Sequence, residues 1–139
     1  MPAMSSETAV RIPLEGRQID ASLAVPDRPA GLVIFAHGRG GIRSDGRSGL
    51  LAAELQKGGL ATLDFDLLTA AELAEPDYKF SAAAPAKRLG EVVKWAGDQP
   101  ALRGVPIAFL GWGTGASAAL VAAAQPGNPV RAVVSCGGR

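Results

Sequence analysis

Apolar and polar positions keep one rhythm at the start of the chain and another after it. From Ile19 to Val25 they alternate, with Ile19, Ala21, Leu23 and Val25 on one side and Asp20 and Ser22 on the other. That is the signature of a half-buried strand. Val10 to Leu14 reads as its partner, joined to it by the turn Glu15-Gly16-Arg17, and Pro26-Asp27-Arg28-Pro29 ends the hairpin. After Gly31 the apolar residues come in short unbroken runs, as in strands covered on both faces. These runs are Leu32 to Ala36, Leu60 to Asp66, Pro106 to Leu110 and Val130 to Ser135.

Helical spacing fills the gaps between the runs. Leu50 to Leu55 is stopped by Gly58-Gly59, and Leu89, Val92, Val93 and Ala96 close near Gln99-Pro100. An Ala-rich stretch runs from Ala116 to Ala124, and the segment up to Lys79, with Pro76 and Asp77, reads as irregular. Alternating strands and helices predict a three-layer α/β domain, residues 1–139, with a mostly parallel sheet, helices on both faces and an antiparallel N-terminal edge. Ligands of such sheets sit beyond the carboxyl ends of the strands. Two glycine loops fall on that rim, His37-Gly38-Arg39-Gly40-Gly41 and Gly111-Trp112-Gly113-Thr114-Gly115.

Composition narrows the choices. Apolar residues make up 47% of the 139 and charged residues 19%, which argues for a folded domain. Fourteen basic residues against thirteen acidic give a net charge of +1, so no global field favours nucleic acid. A lone Cys and a lone His leave little for a protein-built zinc site, and no metal or cofactor is expected. No apolar run reaches the ~18 residues of a membrane span. The opening Met-Pro-Ala-Met-Ser-Ser-Glu lacks the basic start and apolar core of a secretory signal, so the expected location is cytoplasmic.

The second glycine loop has the context of a nucleophile elbow, G-x-S-x-G, between a buried strand and a small-residue helix. A serine at its centre would expose an attacking oxygen, and the following amide would help to stabilise an oxyanion. The central residue here is Gly113, which has no side chain to attack with. The same stretch matches Gly111-x-Gly113-x-x-Ala116, a dinucleotide fingerprint, but no acid stands at the end of the next strand. His37, ending a buried strand, reads as a structural histidine bonded to its loop. Cys136 reads as a small strand-end residue held at least a strand spacing from His37. Ser117 reads as a packing hydroxyl, and Asp66 as a rim or capping carboxylate. Arg39, Arg43 and Arg47 surround the first loop with Asp45 and offer an anion clamp. Trp95 and Trp112 read as packing aromatics, with a pocket wall as the alternative for Trp112.

Five stretches together resemble dienelactone hydrolase-like α/β-hydrolases: Leu32 to Gly41, Leu60 to Thr69, Gln99 to Gly104, Gly115 to Ala124 and Val130 to Arg139. The resemblance implies hydrolysis of small-molecule esters or lactones, without a cofactor, by a Ser or Cys nucleophile with an Asp and a His. It places the nucleophile at Gly113, the oxyanion-hole amides at Arg39 and Thr114, and His37 in the loop that supports that hole. It matches only the N-terminal portion of a typical member, so the acid and base that follow the nucleophile in chain order are expected to be missing. Losing the nucleophile alone costs roughly 10⁶-fold in rate. The chain alone is therefore expected to show little or no turnover. The alternative is a binding module that holds a small carboxylate on those amides. The apolar strand Val130 to Ser135, left at an open edge, is expected to pair with a second copy or a complementing chain.

Overall fold

The computed structural model describes residues 7–38, 47–76 and 81–137, with Arg47 described by its backbone alone. Six strands form a single sheet: β1 (Thr8–Leu14), β2 (Arg17–Ala24), β3 (Leu32–His37), β4 (Ala61–Phe65), β5 (Ile107–Trp112) and β6 (Ala132–Cys136). Their order across the sheet is β1-β2-β4-β3-β5-β6. The β1–β2 and β2–β4 pairs are antiparallel, and the β3–β4, β3–β5 and β5–β6 pairs are parallel. This is the expected parallel sheet with its antiparallel N-terminal edge. The hairpin turn is Glu15-Gly16, with φ of 51° and 73°. Left-handed backbone at both central residues is what a two-residue hairpin turn demands.

Among the described residues, α-helices α1 (Arg47–Lys57), α2 (Ala70–Ala74), α3 (Ala83–Gly97) and α4 (Thr114–Ala123) lie between the strands. α1 packs on one face through Ala52, Leu51 and Leu55, against Val33, Phe35, Leu110 and Trp112. α3 and α4 cover the other face, where Leu89, Val92, Val93, Ala118 and Ala119 meet Ile34, Leu63 and Phe109. The runs between residues 32 and 110 lack alternation because both faces are buried. Phe35, Phe65 and Phe109 are each 0% exposed. Burying each contributes about 2–3 kcal/mol, which anchors the sheet centre.

The segment after β4 differs from the sequence expectation. It is not wholly irregular: Thr69 caps the short helix α2, its hydroxyl accepting from the Glu72 N–H while the Glu72 carboxylate accepts from the Thr69 N–H. This reciprocal pair satisfies two of the donors that a helix start leaves open. Among the described residues, no helix is long and apolar enough to cross a membrane.

Candidate functional site

β3 lies at the centre of the parallel strands, with β4 on one side and β5 on the other. The chain thus departs in opposite directions from neighbouring strand ends, which opens a crevice at the carboxyl rim. His37-Gly38 leaves β3 there, and Trp112-Gly113-Thr114 leaves β5 beside it.

Gly113 caps α4 with φ 54° and ψ −126°. An L-residue takes that conformation only under strain, and such strain clusters at functional sites. Three more glycines let backbone meet backbone around the bend. A Cβ on Gly111 would sit 2.6 Å from the Ala116 Cα. One on Gly115 would overlap the Ala36 carbonyl oxygen, and one on Gly38 would overlap the Thr114 hydroxyl and the Gly115 nitrogen. The Gly113 N–H donates to the Cys136 carbonyl at 3.1 Å, and the Gly113 carbonyl accepts from the Ala116 N–H at 3.1 Å. The bend is therefore pinned to β3, to β6 and to its own helix. Thr114, the first residue of α4, is buried.

On the face under α1, alternation brings His37 of β3 between Asp64 of β4 and Trp112 of β5. His37 Nε2 lies 2.7 Å from Asp64 Oδ1, with both side chains buried. The His37 ring stacks on Trp112 with centroids 5.0 Å apart and planes 3° apart. Phe35 meets both rings edge-on. The hydrogen bond of His37 thus runs to a carboxylate two strand positions from the elbow. β5, carrying Trp112, separates His37 from Cys136 on β6, which rules out a Cys–His pair.

The other candidates are dispersed. Arg39, Arg43 and Asp45 lie outside the described residues, as does the side chain of Arg47. Ser117 sits within α4 one turn past the bend. Asp66 is exposed and lines a recess of about 290 Å³ with Arg17, Asp20, Thr69 and Arg88. Sequence reasoning passed over Arg88. It projects from α3 and is buried, its Nε 3.0 Å from Glu15 Oε1, its Nη1 2.7 Å from Glu72 Oε1 and 3.0 Å from the Leu67 carbonyl. The hydrogen bond from Arg88 is the main cause that lowers the Glu72 carboxyl from 4.5 to about 2, against the opposing effect of burial. A wider groove of about 510 Å³ lies between α3 and the C-terminal end of α4, and no elbow residue lines it. Among the described residues, no group of three His, Cys, Asp or Glu side chains is placed to hold a metal.

The arrangement is similar to known hydrolases. A dienelactone hydrolase from Anabaena variabilis superposes with a TM-score of 0.86 at 37% identity, covering 99% of this chain and 65% of that one. An esterase from Pyrococcus furiosus gives 0.70 at 21% identity over 96% of this chain and 51% of its own, a likeness of fold. Two Mycobacterium tuberculosis proteins, from strains CDC 1551 and H37Rv, carry the name "putative phosphoribosyl transferase" and are 47% identical over 117 residues. The match takes in 84% of this chain and 26% of theirs, so the chain spans about a quarter of their length. No family model matches the chain.

Proposed function

We propose, from a chain that carries part of the fold of dienelactone hydrolase-like α/β-hydrolases, that its elbow rim receives small-molecule esters, lactones or carboxylates and that this chain alone turns them over little or not at all. One observation carries this reading: the bend at Gly113 has the strained geometry of a nucleophile mount and no side chain on it. In this reading the Thr114 amide, with that of Arg39, accepts the developing or resident anion. A cytoplasmic location belongs to the same proposal. The transferase name of the mycobacterial relatives describes proteins about four times as long as the matched stretch, and the matched part has a hydrolase fold. That favours hydrolase chemistry for this part.

p-Nitrophenyl acetate tests the reading. The unchanged chain is expected to release p-nitrophenol no faster than a His37→Ala control. Gly113→Ser has no base beside it among the described residues, so at alkaline pH, where hydroxide takes the serine proton, it is expected to take up one acetyl group at position 113 as p-nitrophenolate leaves, read by mass spectrometry. Turnover by the unchanged chain well above the control, or no acylation of Gly113→Ser, overturns it. The binding-module alternative is favoured instead if acetate raises the melting temperature of the unchanged chain while acylation fails.

We also propose that β6 takes a further strand from a second copy or a complementing chain. It is paired on one side only, and Val134 on it is 54% exposed.

A further inference from the structure

The hydrolase reading leaves one buried polar pair unexplained, His37 with Asp64. A buried carboxylate is costly unless it is hydrogen-bonded. Asp64 Oδ1 lies 2.7 Å from His37 Nε2, where a hydrogen on Nε2 would give the carboxylate a donor to accept from. The other ring nitrogen, Nδ1, is buried and has no partner among the described residues. A hydrogen there would be a buried donor with no acceptor among the described residues, whereas a bare lone pair is tolerated more readily. Trp112, parallel to the ring, and Phe35, edge-on to it, leave the imidazole little room to turn over.

We propose that Asp64 is a positioning residue that locks His37 in the Nε2–H tautomer, with Trp112 as the clamp, and so fixes the end of β3 against the elbow. The coupling runs through the chain itself. Gly38 follows His37 and touches Thr114 and Gly115 so closely that a Cβ would not fit. Gly38, bonded to His37, has no room to shift toward the first turn of α4. The functional meaning of that coupling rests on the hydrolase reading, but the tautomer and the coupling do not.

The protein has a single histidine, so its imidazole nitrogens are unambiguous in a ¹⁵N-histidine-labelled sample. The full chain at alkaline pH is expected to show a protonated Nε2 and a bare Nδ1. A hydrogen on Nδ1, an averaged pair of tautomers or a doubly protonated ring overturns the proposal, and no variant is needed for that result. Asp64→Asn retains an acceptor oxygen and is expected to keep the tautomer. Asp64→Leu removes the acceptor and is expected to average it and to shift the amide resonances of Gly38, Thr114 and Gly115. Tautomer averaging with those amides unmoved overturns the positioning role. These readouts do not involve turnover, so failure of acylation at position 113 strikes the hydrolase reading and leaves this one standing.

Discussion

Glycines at this site differ in what surrounds them, and substitution by alanine separates the kinds. At Gly115 an added Cβ meets the main-chain carbonyl of Ala36, which cannot swing aside. Gly115→Ala is expected to cost about 3 kcal/mol or more, by the measure of overpacked cores. Gly90 lies inside α3 with nothing within 4 Å of its would-be Cβ. There alanine is expected to add about 0.5–1 kcal/mol of stability through helix propensity and a less free unfolded chain. Urea midpoints for the two variants should move in opposite directions. Gly113→Ser places a side chain at φ 54° and is expected to lower stability by about 1–3 kcal/mol even if it restores an attacking group. At this scale the sequence made the glycine bend between β5 and α4 legible, because glycine spacing between an apolar run and an Ala-rich helix is local information. The His37–Asp64 pair was not legible. Its members are 27 residues apart, and only the sheet order sets β4 beside β3.

α2 is held from outside rather than by its own packing. It has no buried residue, and its five residues are too few to stand alone. Arg88 ties it to the β1–β2 turn through Glu72 and Glu15. The same ion pair holds Glu15 at a left-handed φ of 51°, where a glutamate is uncommon. Glu72 has a folded-state pKa of about 2 against 4.5 when free. Its contribution is therefore fully present above about pH 4.5 and is lost as pH falls toward about 2. The Glu72 side chain is 32% exposed, so solvent screening reduces the effect to about 1–2 kcal/mol. Glu72→Gln should lie below the parent in stability at pH 7 and converge with it in acid, read by urea unfolding at several pH values. Arg88→Met strands two carboxylates and the Leu67 carbonyl, and is expected to cost about 3 kcal/mol at neutral pH. The pattern Thr69-x-x-Glu72 was a readable start signal for α2. The role of Arg88 was hidden, because a helical arginine looks like solvated charge until its distant partners are known.

Across the molecule, helix and strand periods sufficed to give the three layers and the antiparallel edge. Each buried run is short, mostly apolar and opens at a Gly or Pro. The order in which strands adjoin is a long-range property, and it decides which side chains meet. β6 is the asymmetric part of this layout: its interior neighbour is β5, and no strand among the described residues pairs its outer side. Open apolar edges invite pairing unless a charge blocks it. Light scattering on the eluting protein is expected to show an assembly larger than one chain, which Val134→Lys should shift toward the monomer. A strictly monomeric parent would refute self-pairing.

Apart from the Thr114 hydroxyl against Gly38, the close contacts around residue 113 are main chain, made at Gly38, Gly111 and Gly115. The shape of the bend is therefore indifferent to whatever it displays. Evolution can strip the reactive group with one codon change and restore it with another, since the frame waits unaltered in between. A bulkier residue at 115 would be different in kind: it would deform the frame itself, and reversal would then need several coordinated steps.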